Sequence, residues 1–234
     1  MSCITIFSRL QKIGNIHFRG NCVRKHIALT FDDGPSEQTN EILDILNQYG
    51  VRGTFFVLGK KLTEKSALVT RIAKQGSEIG NHSYSHANLT RLSYKNICSE
   101  LTHTDQKLGE YGITTRLFRP PYGATNLRVV CAALKLQKKI ILWDVDPQDW
   151  RCNYDAQERA SYIINNIRSG SIIDLHEYAE NIGKNKCLPK ILHALIPTLQ
   201  SNKYTLATVS EVIGFEKHKS IVNACRNILS LDRG

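Results

Sequence analysis

Short apolar runs alternate along most of the chain with longer segments whose apolar residues recur at helical spacing. Short runs rich in β-branched and aromatic residues predict strands, and the longer amphipathic segments predict helices. The predicted strands are residues 26–31, 52–58, 77–80, 115–118, 139–145, 171–175 and 204–209. The predicted helices are residues 36–50, 61–75, 93–111, 126–136, 156–169 and 189–201.

The segment SEQTNEILDILNQYG is the clearest predicted helix. Ser36 occupies an N-cap position before it, and Gly50 ends it. Its apolar residues fall on one face, and they are Ile42, Leu43, Ile45 and Leu46. Such a one-sided helix is expected to pack on a sheet.

The repeated alternation predicts parallel strands with helices outside them. With roughly seven strand-like runs, we predict an α/β fold, namely a distorted, incomplete (β/α) barrel of about seven parallel strands that resembles a TIM barrel. Residues 26–214 are predicted to form this domain. Residues 1–25 are an N-terminal extension, and residues 215–234 form a C-terminal tail in which SIVNACRNIL predicts one more helix.

The chain of 234 residues carries a net charge of +10. This charge fits a solvated basic surface, or attraction to an anionic cell-wall polymer, membrane surface or nucleic acid. The basic residues are scattered, and no aromatic residues alternate with them as they do in a nucleic-acid-binding surface. We therefore expect no nucleic-acid partner.

The seven cysteines are dispersed, and no two form a CxxC pair, which argues against a cysteine zinc site. An odd, dispersed set is typical of free thiols in a reducing compartment. Arg9, Lys12 and Arg19 interrupt the apolar N-terminus, and no run approaches the ~20 apolar residues of a membrane-spanning helix. The sequence as written predicts a cytoplasmic protein; a start site placed too late, or non-classical export, would instead put it outside the cell or in the envelope.

Five unusual clusters each follow a predicted strand. They are TFDDGP (30–35), NHSYSH (81–86), RPPYG (119–123), DPQDW (146–150) and LHE (175–177). The C-terminal ends of parallel barrel strands share one face, where catalytic groups collect. The sequence therefore predicts that these clusters converge on one site.

His82 and His86, four residues apart, are candidate metal ligands, although in isolation they fit two unrelated surface histidines as well. The intervening SYS predicts a loop rather than a helix. A carboxylate would complete a site of two histidines and one carboxylate with an open position for water.

Asp32 and Asp33 are adjacent, so on a regular strand their side chains would point to opposite faces. The turn expected at Gly34 and Pro35 can bring both to one cavity, where one carboxylate binds the metal and the other acts as general base. The alternative is an acidic pair favoured by a helix dipole, which explains one aspartate better than two.

The five clusters together resemble the motifs of the NodB-homology polysaccharide deacetylase family, carbohydrate esterase family 4. The resemblance spans roughly residues 25–213, with all five motifs in order. TFDDGP and RPPYG match unchanged, HSYSH fits the form H-S/T-x-x-H, and DPQDW matches the fourth motif. The fifth motif, usually similar to ILLHD, is IIDLHE here.

The resemblance implies a role for each matching residue. Asp33, His82 and His86 would hold a divalent metal, usually zinc, with cobalt or nickel as alternatives. Asp32 would be the general base, Arg119 its charge partner and His176 the general acid, tuned by Asp149. The backbone N–H of Tyr122 would bind the oxyanion, and Trp150 and Leu175 would wall the pocket for the acetyl methyl group.

Two residues depart from the family pattern. Asp174 replaces a usually apolar residue two positions before His176, and Glu177 replaces the common aspartate. Residues two apart on a strand share a face, so Asp174 is expected near the general acid. Added negative charge should raise the pKa of His176, and it also fits reduced activity or a different substrate.

We therefore predict a metal-dependent hydrolase that removes N-acetyl groups from glycans containing N-acetylglucosamine, such as chitooligosaccharides, peptidoglycan or related polymers, and releases acetate. The alternatives are an O-acetyl esterase acting on a plant-type polysaccharide such as xylan, a catalytically inactive glycan-binding domain, and a hydrolase of a small non-sugar amide. The expected partner is the N-acetylated glycan. The sequence gives no indication of the oligomeric state.

Overall fold

The computed structural model describes residues 16–20, 23–151, 155–179, 183–184 and 187–214. The strands are β1 (Ile16–His17), β2 (His26–Gly34), β3 (Thr54–Val57), β4 (Glu78–Asn81), β5 (Leu117–Phe118), β6 (Lys139–Ile141), β7 (Ile172–His176), β8 (Tyr178–Ala179), β9 (Gly183–Lys184) and β10 (Thr205–Leu206). The α-helices are α1 (Thr39–Gln48), α2 (Gly59–Leu62), α3 (Ser66–Lys74), α4 (Tyr94–Gly109), α5 (Leu127–Lys135), α6 (Ala156–Asn166), α7 (Leu188–Ser201) and α8 (Val209–Val212).

Eight strands form one parallel sheet in the order β1-β6-β5-β4-β3-β2-β10, and β7 also pairs with β2. A further parallel bridge from Val145 to Ile173 joins the segment after β6 to β7. This bridge brings the two sides of the sheet together into a distorted barrel. The predicted α/β barrel of about seven parallel strands is therefore confirmed.

Alternate residues of the strands face the barrel interior and the surrounding helices. The inward residues Phe56, Leu117, Ile141 and Ile172 form one buried cluster, which Val209 and Val212 of α8 extend. The outward residues of β2, β3 and β7 pack against α1, α3, α6 and α7 in a larger cluster. Because each fully buried large apolar side chain contributes about 1.5–3 kcal/mol, these two layers hold the strand ends in fixed positions.

Several predicted boundaries differ from the observed ones. The predicted helix 61–75 is divided into α2 and α3, and the predicted strand 139–145 ends at Ile141. The sequence reasoning missed α8 and the antiparallel β8–β9 hairpin. The strand β1 comes from the predicted N-terminal extension and pairs with β6, so that segment contributes to the sheet.

The predicted N-cap at Ser36 is wrong. Helix α1 begins at Thr39, and its N-cap residue Gln38 makes no capping side-chain bond. The Ser36 hydroxyl accepts a hydrogen bond from the Gln38 N–H and donates one to Glu177 at 2.8 Å. Ser36 therefore binds a residue distant in sequence and is not the N-cap of the helix. The helix predicted within residues 215–234 lies outside the described residues. In the part of the chain that is described, no helix is long and apolar enough to cross a membrane.

Candidate active site

The end of β2 places both carboxylates of the DD pair in one cavity. Phe31 pairs with Phe55 and Gly34 pairs with Val57, so β2 carries one extra residue there. Asp33 absorbs this bulge in a left-handed conformation with φ of 69°. His82 Nε2 therefore lies 3.6 Å from an oxygen of Asp32 and 3.6 Å from an oxygen of Asp33.

Asp33, His82 and His86 form a cluster in which one potential ligand atom from each lies within 4.8 Å of the others. His86 Nε2 is 3.1 Å from Asp33 Oδ1. That oxygen is buried and has no hydrogen-bond partner in the described part of the chain. A buried carboxylate oxygen without a hydrogen bond is costly unless a cation compensates it, so the three residues fit a divalent metal.

The surroundings of His82 prepare one ring nitrogen to bind a metal. His82 Nδ1 is 2.8 Å from the backbone oxygen of Arg119, and since a carbonyl only accepts, Nδ1 is the protonated nitrogen. Burial lowers the pKa of His82 below its usual value. The ring is therefore neutral, with the lone pair of Nε2 turned toward the aspartates.

The loop that carries His82 and His86 is held by polar side chains that the sequence reasoning missed. Glu100 of α4 accepts hydrogen bonds from the Tyr84 N–H, the Ser85 N–H and the Ser85 hydroxyl. Ser83 Oγ accepts a bond from the His86 N–H at 3.1 Å. The segment is a loop, as predicted from SYS, and these bonds fix its path.

Arg119 is fully buried and serves two carboxylates at once. Its Nη1 lies 2.8 Å from Asp32 Oδ1 and 2.7 Å from Asp174 Oδ1, and it also donates to the Thr30 hydroxyl at 2.7 Å. The guanidinium carbon lies 4.3 Å from the centre of the Phe56 ring. Arg119 thus holds Asp32 beside the three-residue cluster.

His176 faces Asp32 from β7, and Asp149 orients its ring. Asp149 Oδ2 accepts from the His176 backbone N–H, and Asp149 Oδ1 lies 2.9 Å from His176 Nδ1. Burial lowers the pKa of His176, but the carboxylates of Asp174, Asp149 and Asp32 outweigh it and raise the pKa well above the usual value. The ring is therefore held as an imidazolium at neutral pH.

Glu177, expected to add negative charge near His176, has its carboxylate elsewhere. Its Oε2 accepts hydrogen bonds from the Ser36 hydroxyl and the Thr39 hydroxyl, beneath the Gly34–Pro35 turn. A Cβ at residue 34 would collide with Oε1, so the turn needs glycine for this close approach. Burial raises the pKa of Glu177 to about 7.

Leu175 does not face the site. It packs in the outer apolar layer with Phe31, whereas Asp174 and His176 are on the opposite, inward face of β7. The expectation that Leu175 walls a pocket beside His176 is corrected by this strand alternation, which gives the wall position to Asp174.

The two aromatic candidates lie at the rim. Tyr122 has a φ of 61° and is 60% exposed, and its ring centre is 4.7 Å from that of His86. Trp150 directly follows Asp149 and is 38% exposed, with the Arg151 guanidinium 4.9 Å from its ring. Both offer apolar surface at the mouth of the site to an incoming ligand.

Comparison with known proteins identifies relatives of this arrangement. Residues 19–141 match the family model described as polysaccharide deacetylase. The chain is 35% identical over 200 residues to the peptidoglycan-N-acetylmuramic acid deacetylase PdaC of Bacillus subtilis, covering 84% of this chain and 40% of that protein. It spans less than half the length of the curated relatives that head the comparison.

Two solved structures are informative. A peptidoglycan N-acetylglucosamine deacetylase superposes with a TM-score of 0.85 at 32% identity, over 92% of this chain and 100% of that one. A carbohydrate esterase family 4 pseudoenzyme from Bacillus anthracis superposes with a TM-score of 0.78 at 26% identity, over 87% of this chain and 70% of that one. The fold thus occurs in both an enzyme and a pseudoenzyme.

Proposed function

The chain belongs to the polysaccharide deacetylase family, and from this premise we propose that it is a metal-dependent hydrolase that removes N-acetyl groups from a glycan containing N-acetylglucosamine. One observation carries the proposal. The cluster of Asp33, His82 and His86 has a second carboxylate, Asp32, beside it, and Asp32 also lies within 4.8 Å of a ligand atom of His176. A base and an acid thus flank one metal site, which is an arrangement that can hydrolyse an amide.

The metal site is assigned to Asp33, His82 and His86, with Zn²⁺ as the proposed ion because two imidazoles and one carboxylate suit it. When bound, the ion polarises the acetyl carbonyl and lowers the pKa of water towards about 7. Two observations support this assignment: Asp33 Oδ1 is buried without a hydrogen bond among the described residues, and the His82 ring is neutral.

Asp32 takes one proton from the attacking water while the water oxygen forms a bond to the acetyl carbon. The carbonyl electron pair moves onto oxygen, where the Tyr122 N–H donates a hydrogen bond worth about 3 kcal/mol. As this adduct collapses, His176 Nε2 transfers its proton to the nitrogen while the C–N bond breaks, and the electron pair of that bond stays on nitrogen. The products are a neutral amine and acetic acid, which loses its carboxyl proton to solvent and leaves as acetate.

The environment of His176 favours an amide over an ester. An alkoxide leaves more readily than an unprotonated amine, so an N-deacetylase depends more strongly on a protonated acid. Asp149 and Asp174 keep His176 protonated, which supports N-deacetylation over O-deacetylation. The alternative of an inactive domain is weakened because charged residues assigned here lie beside charged partners, in the pairs His86–Asp33, Arg119–Asp32 and His176–Asp149.

Peptidoglycan is the proposed substrate class. Relatives of this chain are named as peptidoglycan N-acetylglucosamine and N-acetylmuramic acid deacetylases. The net charge of +10 favours approach to an anionic wall polymer. Chitooligosaccharides contain the same acetylated sugar and are a secondary candidate.

The test is a substrate panel scored by acetate release. Purified protein is stripped of metal with a chelator, reloaded with Zn²⁺, Co²⁺ or Ni²⁺, and given peptidoglycan fragments, chitooligosaccharides and acetylated xylan. We expect release from the first two only after metal is restored. Release from xylan alone identifies an O-acetyl esterase, and glycan binding without release under every metal identifies an inactive domain.

A further inference from the structure

Asp174 lies between Arg119 and His176 in the candidate active site. It is 1% exposed and shares the inward face of β7 with His176. Its Oδ1 lies 2.7 Å from Arg119 Nη1, and its Oδ2 lies 3.8 Å from His176 Nε2. Asp174 stands where the motif that the sequence resembles usually has an apolar residue.

Asp174 adds a third carboxylate to the two others that surround His176. Asp32 from β2, Asp149 from the loop after β6 and Asp174 itself surround the ring, and Asp146 of the same loop faces Asp174. The permanent cation among these groups is Arg119. Burial and the nearby Asp32 raise the pKa of Asp174 well above its usual value, so Asp174 and His176 compete for one proton. The 2.7 Å contact of Asp174 with Arg119 and its 3.8 Å approach to His176 Nε2 favour the ionised carboxylate with the proton on His176.

Arg119 cannot satisfy its neighbours alone. Three oxygens lie within 2.8 Å of Nη1, and they belong to Thr30, Asp32 and Asp174, whereas this nitrogen carries only two hydrogens. Asp174 therefore competes with Asp32 for Arg119. The imidazolium of His176 supplies the additional positive charge that the two carboxylates need.

We propose that Asp174 is a positioning residue that retains the Nε2 proton of His176 until the leaving nitrogen takes it. This role rests on the proposed function, in which that proton is transferred. Asp149 holds the Nδ1 side of the ring by a 2.9 Å contact, and Asp174 acts on the opposite side. At 3.8 Å the carboxylate attracts the charge without a direct hydrogen bond, so no strong bond opposes the transfer.

The experiment compares wild type, Asp174→Asn and Asp174→Leu in the zinc-loaded protein. The pKa of His176 is measured by NMR of the ring, with His176→Gln used to assign the signal. Loss of the carboxylate is expected to lower that pKa by about 1–3 units and to move the alkaline limit of kcat/KM by the same amount. Asp44→Asn, which removes a surface carboxylate paired with Arg71, should leave the His176 signal unshifted.

Two results would overturn the proposal. One is an unchanged pKa of His176 in a folded Asp174→Asn protein. The other is a metal content of two ions per chain in wild type and one in Asp174→Asn, because Asp32, Asp174 and His176 would then be ligands of a second ion. The NMR and metal measurements need no turnover, so they test Asp174 even if the proposed deacetylation fails.

Discussion

Asp32 and Asp33 are consecutive residues whose carboxylates face the same cavity. The left-handed φ of 69° at Asp33 cancels the alternation that would otherwise separate them. Their partners nevertheless differ, because Asp32 pairs with buried Arg119 and Asp33 lies beside His86. One residue is thus placed to move a proton and the other to bind a cation.

This division of labour predicts opposite phenotypes for the two asparagine variants. Asp32→Asn keeps the metal ligands but removes the base, so kcat should fall by about 10²–10⁴ with the metal affinity nearly unchanged. Asp33→Asn removes a charged ligand, so the metal affinity itself should fall. Metal competition with a fluorescent chelator and acetate release measure the two effects. Loss of metal in Asp32→Asn alone would show that the two roles are exchanged.

Glu100 is not among the proposed metal ligands, but we expect it to affect metal binding. Its carboxylate accepts three hydrogen bonds from Tyr84 and Ser85, the residues between the two histidines. Glu100→Gln replaces an acceptor oxygen by a donor amide, so the loop loosens and the metal affinity should fall about 10–100-fold.

Glu110, at the exposed end of the same helix, provides the control. It pairs with Lys107 on the surface, and Glu110→Gln should leave the metal affinity unchanged. Equal affinities for the two variants would mean that the loop keeps its geometry without Glu100. Circular dichroism establishes that both variants are folded.

Glu100 also illustrates what the sequence could not reveal. The five clusters were found because chemistry-bearing residues follow parallel strands, and the ends of such strands share a face. Glu100 lies within α4, and its partners are 15 and 16 residues earlier, so no local pattern marks it. Contacts of this kind depend on how a helix rotates against the sheet.

Two errors have different physical causes. Leu175 was assigned to the wrong face although strand alternation alone places residue 174, and not 175, beside His176. Ser36 was assigned as an N-cap from local preference, and its hydroxyl instead binds Glu177, 141 residues away. The first error was avoidable from the sequence. The second required tertiary structure.

We expect a large loss of stability when the charge of Arg119 is removed. Arg119→Met leaves Asp32 and Asp174 buried without their cation, so the free energy of unfolding should fall by about 3–5 kcal/mol. Adding Asp174→Leu removes one of the stranded carboxylates, so the double variant should be more stable than Arg119→Met. Urea unfolding of metal-free protein measures both.

Arg71→Met is the matched control for this series. Arg71 pairs with Asp44 at the surface, where ion pairs contribute about 0–1 kcal/mol. Comparable losses for the two arginine variants would contradict the expected cost of leaving Asp32 and Asp174 buried without Arg119.

Glu177 predicts a pH-dependent component of stability. Burial raises its pKa from 4.5 to about 7, so between these values the folded protein binds more protons than the unfolded chain does. The free energy of unfolding therefore falls as the pH rises from 4.5 to 7, and this component is constant above that window. The difference of about 2.5 pKa units corresponds to about 3 kcal/mol.

Glu177→Gln, which is neutral at every pH, tests this component. The stability difference between wild type and the variant should change by about 3 kcal/mol across the window, with wild type relatively more stable at the acidic end. Urea unfolding is measured with chelator present, because metal binding depends on pH itself.

Glu211 provides a control of opposite sign: burial raises its pKa, but bonds from Thr208 and Arg52 outweigh burial and lower it. The stabilising contribution of Glu211 is therefore lost as the pH falls. A pH-independent difference for Glu177→Gln would mean that its carboxylate stays ionised beneath the Gly34–Pro35 turn, held by the hydroxyls of Ser36 and Thr39.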